Sequence, residues 1–244
     1  RRRENTRDLP PTLGEKAGVK GETLMDAREL IARRAAQEFK DGFVVNLGFG
    51  IPVQAAAYIP EGVEVILQAE NGILRFETVT KLGEEDPYTS DAACQPTRVL
   101  PGGSTFDIAT SFAFIRGGHV DATILGALEV DQEGNIANWA LPIAPGKYSP
   151  GMGGAMDLLV GARKVICTLQ HTDKKGRSKI LKKCTLPLSA AKAVDLIITE
   201  LAVMEVTPSG LYLREVAPGV TVDQVKAVTE ADLVVEGPIP EMKL

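Results

Sequence analysis

Short apolar runs, each closed by glycine or proline and separated by stretches of helical spacing, set the tightest limit on how this chain folds. The runs occupy residues 43–47, 63–67, 98–100, 122–128, 164–169 and 196–199. Runs this short and this apolar read as strands buried on both faces, the pattern of a parallel sheet. Helix-like segments lie between several of them, at residues 53–58, 105–115 and 190–194, and residues 221–228 add a short helix near the C-terminus. Strand and helix therefore alternate, which predicts an α/β fold with a mainly parallel sheet covered by helices. Regular structure is expected to begin near Met25, where Ala27, Leu30, Ile31, Ala35 and Phe39 recur at helical spacing beside Arg28, Glu29, Arg33 and Arg34. Residues 1–24 hold three leading arginines, the Pro10-Pro11 pair and few apolar side chains. They are expected to form a flexible arm or linker ahead of one domain over residues 25–244.

The charge balance narrows the choice of partner. The 244 residues carry 27 basic and 32 acidic side chains, a formal charge of −5. The arm has six basic and four acidic residues and is +2 by itself, which leaves −7 on the remainder. A globular body of this charge has no electrostatic reason to bind nucleic acid or an anionic membrane. No stretch approaches the roughly 20 apolar residues of a membrane span, and the N-terminal residues lack the apolar core of a secretory signal, so a cytoplasmic location is expected. Cys94, Cys167 and Cys184 form no CxxC pair and read as reduced thiols, with Cys167 inside a buried strand. His119 and His171 are the only histidines and stand far apart, so a histidine-based zinc site is not expected; a permanently bound cofactor is not expected either.

Four glycine-rich turns are the first chemical signal: Gly48-Phe49-Gly50, Pro101-Gly102-Gly103-Ser104, Arg116-Gly117-Gly118-His119 and Gly151-Met152-Gly153-Gly154. In an open parallel sheet the turns that follow strands gather at the carboxyl edge and frame a ligand crevice. Glycine lets backbone N–H groups approach a ligand there. Each turn taken alone is equally well a structural turn, and none matches a nucleotide-binding fingerprint. The second signal is Glu70, which ends an apolar run and is followed by the turn pair Asn71-Gly72. A carboxylate at an apolar strand tip is either an exposed loop residue or one kept for use, held ionised by Asn71 or by turn N–H groups.

Seven blocks carry a family resemblance: DGFVVNLGFGIP (41–52), the ENG turn at Glu70, LPGG (100–103), FAFIRGGHVDATILGALEV (112–130), GNIANW (134–139), GMGGAMDL (151–158) and KKCTLPL (182–188). In this order they resemble the β subunit, or C-terminal half, of the family I CoA-transferases, of the succinyl-CoA:3-ketoacid and acetate or butyrate:acetoacetate type. The resemblance implies a three-layer α/β fold and a catalytic glutamate at Glu70, attacking an acyl-CoA and passing through a glutamyl-CoA thioester. Glutamate suits this role because, with an ordinary pKa of about 4.3, it is ionised at neutral pH and needs no general base. The resemblance assigns an oxyanion-stabilising N–H to Gly154. It lines the path of CoA, a substrate here, with Gly48, Phe49, Gly50, Asn71, Gly72, Gly151, Met152 and Gly153. A homologous α subunit, in an α2β2 assembly, is implied as partner, and residues 1–24 correspond in position to the linker of single-chain relatives.

Two departures bear on specificity. Arg75-Phe76-Glu77 follows the ENG turn where the family carries small residues, so Arg75 is a candidate for a substrate carboxylate or for pairing with Glu77. Asp91-Ala92-Ala93-Cys94 stands where many relatives place a lysine, so a polar contact to CoA is lost or supplied elsewhere. The basic run Lys174, Lys175, Arg177, Lys179, Lys182 and Lys183 reads as a solvated loop in preference to a phosphate clamp. His119 is expected to be a structural hydrogen-bonding residue, and Trp139 either core or a subunit contact. The reading is CoA transfer between an acyl-CoA and a short-chain or 3-oxo acid, such as acetoacetate with succinyl-, acetyl- or butyryl-CoA. Three alternatives stay open: a 3-oxoadipate-type transferase, an acyl-CoA hydrolase and a non-catalytic ligand-binding module.

Overall fold

The computed structural model describes residues 25–79, 81, 83–149 and 151–244, so the expected arm lies outside the described residues. Helix α1 (Ala27–Ala36) opens the fold and buries Leu30, Ile31 and Ala35 as its spacing predicts. Strand β1 (Val44–Leu47) leads through the short helix α2 (Ile51–Gln54) and a 3-10 turn (Ala55–Tyr58) to β2 (Ile66–Ala69). Next come β3 (Ile73–Thr78), β4 (Thr97–Thr105), α3 (Ile108–Arg116) and β5 (Ala122–Gly126). Small strands β6 (Glu129–Asp131), β7 (Ile136–Ala137), β8 (Leu141–Ala144) and β9 (Lys147–Ser149) precede α4 (Ala155–Gly161) and β10 (Val165–Thr168). The chain ends with β11 (Ile180–Leu181), β12 (Leu196–Ile198), β13 (Ala202–Thr207), β14 (Gly210–Val216), α5 (Val222–Val228) and β15 (Leu233–Val234).

Among the described residues ten strands form one sheet in the order β15-β14-β13-β12-β10-β5-β1-β2-β3-β4. Its centre, β12-β10-β5-β1-β2, is parallel throughout, and antiparallel pairs extend it through β3 and β4 on one side and β13 and β14 on the other. The strict alternation of a pleated strand splits the apolar runs between two cores. Ile124, Ile166, Ile198 and Val203 pack with Leu30 and Ile31 of α1. Their neighbours Leu125, Cys167, Ile197 and Met204 pack with Ile115 of α3, Leu158 of α4 and Val225 of α5. Helices therefore cover both faces in three layers. Among the described residues no helix is long and apolar enough to cross a membrane.

Three sequence expectations need correction. Residues 190–194 form no helix: Ala193 and Val194 both donate to the Gly134 carbonyl at 3.0 and 3.1 Å, and Lys192 has a φ of +51°. A segment this short cannot nucleate a helix against such ties. Pro101-Gly102-Gly103-Ser104 is no turn but part of strand β4, and Gly103 lies where a Cβ would come within 2.4 Å of the Arg75 carbonyl. Arg116-Gly117-Gly118-His119 is the end of α3, with Gly117 as C-cap, instead of a turn after a strand. His119 is exposed there and lies against the Phe114 ring, 5.3 Å between centroids, without a ring hydrogen bond among the described residues.

The other histidine is an acid-sensitive element of the core. His171 is fully buried, with Nδ1 3.0 Å from Thr199 Oγ1 and Nε2 2.8 Å from Thr229 Oγ1, and burial pushes its pKa down to about 4. An unfolded histidine titrates near 6.5, so between the two values the unfolded chain binds the extra proton and acid favours unfolding. Stability is therefore expected to fall by about 2 kcal/mol between pH 7 and pH 5 through this group. Glu200, whose carboxylate accepts the His171 N–H at 2.9 Å, is raised by burial and drifts the opposite way. Urea unfolding of the native chain and of His171→Asn at both pH values isolates the histidine contribution; an equal drop in the two proteins would assign the acid sensitivity elsewhere.

Candidate active site

Glu70 directly follows β2, and the turn after it is dictated by sterics. Gly72 has a φ of +114°, and a Cβ there would lie 2.1 Å from the Phe106 carbonyl oxygen, so only glycine fits. Phe106 N–H donates to the Gly72 carbonyl at 2.9 Å and locks this turn to the start of α3. Asn71 does not hold the carboxylate, contrary to expectation: its amide donates to the Ser90 carbonyl at 2.7 Å, and the side chain is exposed.

The group that does hold Glu70 is Asn46 of β1. Its Nδ2 donates to Glu70 Oε2 at 3.2 Å, to Gln68 Oε1 at 2.8 Å and to the Gln68 carbonyl at 3.0 Å. Gln68 Nε2 in turn donates to Ser111 Oγ of α3 at 3.1 Å. Asn46 and Gln68 are 1% and 2% exposed and Ser111 is fully buried, so this polar chain has no access to water that would loosen it. A buried amide network fixes orientation because each misdirected N–H would cost about 1–3 kcal/mol. Residues 46 and 68 face each other across the parallel pair β1-β2, and the same register carries Gly48 and Glu70 off one edge of the sheet.

The other side of Glu70 is closed by Gly154. A Cβ at Gly154 would lie 3.0 Å from Glu70 Cγ, 3.4 Å from Glu70 Oε1 and 3.2 Å from Phe112 Cζ. One carboxylate oxygen is thus tethered by Asn46, while the other lies beside the Gly154 backbone. No acceptor among the described residues takes the Gly154 N–H. The Glu70 backbone and side chain border a crevice lined by Leu47, Leu67, Phe76 and residues 91–93, the segment that departs from the family pattern. Such an arrangement suits an ionised carboxylate attacking a carbonyl carbon, with a backbone N–H available to the developing oxyanion.

The remaining candidates divide. Gly48 packs tightly on β5, where a Cβ would meet Leu125 Cδ2 at 2.9 Å, and Gly50 caps α2 with a φ of +91°. Phe49 between them is 79% exposed at the same edge. Gly151 and Gly153 are exposed and Met152 is half-buried in the loop that delivers Gly154. Arg75 goes elsewhere: with a φ of +57° it forms a bulge between β3 and β4, and its Nη2 lies 2.6 Å from Glu64 Oε1, near the opposite end of β2 from Glu70. Glu77 pairs with Arg98, so the Arg75–Glu77 pairing is not formed. Of the basic run, Arg177 pairs with Asp173 and Lys182 with Asp232, as a solvated loop would, while Lys179 turns inward. Trp139 donates to the Leu188 carbonyl at 3.3 Å, and its ring is tilted against that of Tyr148, 6.4 Å between centroids, while Leu141 and Ile143 nearby in sequence are exposed. Among the described residues no group of three acidic, histidine or cysteine side chains is arranged to hold a metal ion.

Known proteins resemble this chain in sequence and in fold. The sequence profile described as Coenzyme A transferase matches residues 28–228. The chain is 53% identical over 222 residues to the β subunit of the acetate CoA-transferase of Haemophilus influenzae, covering 90% of this chain and 97% of that one. It is 45% identical over 205 residues to a succinyl-CoA:3-ketoacid coenzyme A transferase subunit of Helicobacter pylori, covering 84% and 97%. In fold it is similar to the acyl-CoA transferase YdiF apoenzyme of Escherichia coli O157:H7, with a TM-score of 0.70 and 24% identity over 96% of this chain and 47% of that one.

Proposed function

This chain belongs to the coenzyme A transferase family and is a CoA-transferase subunit, and from that premise we propose that Glu70 is its nucleophile. The observation that carries the proposal is the division of labour at its carboxylate. Asn46 Nδ2 donates to Oε2 at 3.2 Å, while Oε1 faces the Gly154 backbone. Oε1 attacks the carbonyl carbon of an acyl-CoA, the new C–O bond forms, and the tetrahedral oxyanion takes the Gly154 N–H. Collapse breaks the C–S bond and leaves a mixed anhydride and CoA thiolate. The thiolate then attacks Glu70 Cδ and expels the first carboxylic acid as its anion, giving a glutamyl-CoA thioester. A second carboxylate reverses the two steps, so no proton changes hands. One well-aimed oxyanion donor contributes about 3–4 kcal/mol to such a sequence.

The substrates proposed are short-chain or 3-oxo acids: acetate, or acetoacetate with succinyl-, acetyl- or butyryl-CoA. Support comes from two relatives named as acetate CoA-transferase β subunits, at 53% and 51% identity, against 44–47% for relatives named for succinyl-CoA and 3-ketoacids. Residues 25–244 form one catalytic half. A homologous α subunit supplies the other in an α2β2 assembly, consistent with relatives named as β subunits and with a fold relative of which this chain spans 47%. The complex works in the cytoplasm on free acyl-CoA, without a permanently bound cofactor.

The test is to co-purify the chain with its α partner, add acyl-CoA without an acceptor acid, and locate the covalent CoA adduct by peptide mass spectrometry. The adduct is expected on Glu70. An adduct on another residue, or none in a complex that still exchanges CoA, refutes the assignment.

A further inference from the structure

A second crevice opens at the carboxyl edge of the sheet, where β1, β5 and β10 end, and it is lined by Arg28, Phe49, Gly50, Gly126, Thr168 and Lys179. Lys179 is the unusual member. It is half-buried, its Nζ donates to the Ala127 carbonyl at 3.1 Å, and among the described residues no carboxylate forms an ion pair with it. Glu200, Asp173 and Glu129 act on it only from longer range, and burial lowers its pKa. An ammonium drawn out of water with one neutral acceptor keeps unused donors and a desolvation cost, which an arriving anion offsets. Two further features fit an anionic ligand. Arg28 adds a second cation from α1 at the rim, exposed and without an ion partner among the described residues. Thr168, 1% exposed, is among the lining residues, and its buried hydroxyl has no hydrogen-bond partner among the described residues.

The place of the crevice indicates which anion. From β2, which carries Glu70, the sheet runs to β1, β5 and β10. At about 4.8 Å per strand the end of β5, at the middle of the crevice, lies about 10 Å along the edge from Glu70. An extended pantetheine arm bridges such a span, and the ground between is Gly48-Phe49-Gly50, with the exposed Phe49 ring beside the path. We propose that this crevice holds the phosphate groups at the nucleotide end of CoA, with Lys179 as the principal cation and Arg28 as a secondary one. The proposal rests on the reading of Glu70 as the site of thioester exchange. It also accounts for the missing lysine at Cys94: the contact to CoA comes from another loop.

The test compares two substrates on the αβ holoenzyme: an acyl-CoA on which the wild type is active, and the S-acyl pantetheine bearing the same acyl group, which lacks every phosphate. Lys179→Gln is expected to raise KM for the acyl-CoA by about tenfold to a hundredfold, the range of a charge-assisted hydrogen bond. The same variant should leave kcat/KM for the pantetheine thioester within about twofold of wild type, and Lys179→Arg should recover most of the loss. Arg28→Gln, on the exposed rim, gives the same selective loss at a smaller size and serves if Lys179→Gln does not fold. Equal loss on both substrates, or no loss on the acyl-CoA in either variant, overturns the proposal. Mass spectrometry on the same variants keeps the two readings apart: an adduct on Glu70 with unselective kinetics refutes only the phosphate crevice, whereas an adduct elsewhere refutes the reading beneath it.

Discussion

Glu70→Ala is expected to lower CoA exchange by a factor on the order of 10⁵ or more, the scale seen when a covalent nucleophile is removed. The chain should still fold and assemble. Among the described residues Glu70 makes one side-chain hydrogen bond, at 3.2 Å, and its donor Asn46 keeps the Gln68 carbonyl and Gln68 Oε1 as acceptors. No buried donor is therefore orphaned, and the stability change should stay within about 1 kcal/mol. Glu70→Asp gives a graded result: the charge stays but retreats by one methylene from the Gly154 backbone, and a displacement of about 1 Å costs on the order of 10²-fold in rate. Steady-state exchange assays with size-exclusion chromatography of the complex check both variants. Undiminished turnover in Glu70→Ala refutes the nucleophile assignment, and loss of the assembled complex would make Glu70 structural.

The contrast between legible and illegible parts of this site is physical. Parallel strands buried on both faces must be apolar throughout, so β1, β5, β10 and β12 stand out as short runs, and Cys167 is found buried in β10 as expected. Strands β13 and β14 alternate less cleanly, because Glu205 and Arg214 pair on their exposed side, and they escape a search for apolar runs. Glycine pairs mislead in the same search. A Gly-Gly signals that something approaches the backbone closely, and at Gly103 that something is the Arg75 carbonyl across a strand bulge, not a ligand. The turn at Glu70 is legible from Asn71-Gly72, but the partner is not. Asn46 lies inside an apolar run and Gln68 just past another, an anomaly visible in the sequence; only the β1-β2 register reveals that Gln68 faces Asn46 and that Asn46 reaches the Glu70 carboxylate. Arg75 is the opposite case, a charge close to Glu70 in sequence that a positive φ and Glu64 direct elsewhere.

Gly154→Ala should cut kcat by about 10–100-fold while the fold survives, and the reason is confined to one methyl group. The backbone at Gly154, with φ −84° and ψ 3°, is open to any residue, so alanine introduces no conformational strain. The N–H proposed to serve the oxyanion is retained. What changes is space: the new Cβ meets Glu70 Cγ at 3.0 Å and Phe112 Cζ at 3.2 Å, both tighter than ordinary carbon contacts. Phe112 sits on α3 and moves little, so Glu70 gives way, carrying Oε1 off its line of attack by a few tenths of an ångström or more. Overpacking of this kind costs about 1–3 kcal/mol, and at a nucleophile the cost appears as rate. The methyl group does not enter the crevice around Lys179, so KM for acyl-CoA should change less than kcat. Trimming the other wall supplies the decisive comparison. Phe112→Leu gives the methyl group room, and the Gly154→Ala/Phe112→Leu pair should recover at least part of the lost kcat relative to the sum of the single changes. A double variant as slow as strict additivity predicts, together with an unshifted Glu70 in its crystal structure, would remove steric positioning as the role of this glycine and leave its N–H as the whole of its contribution.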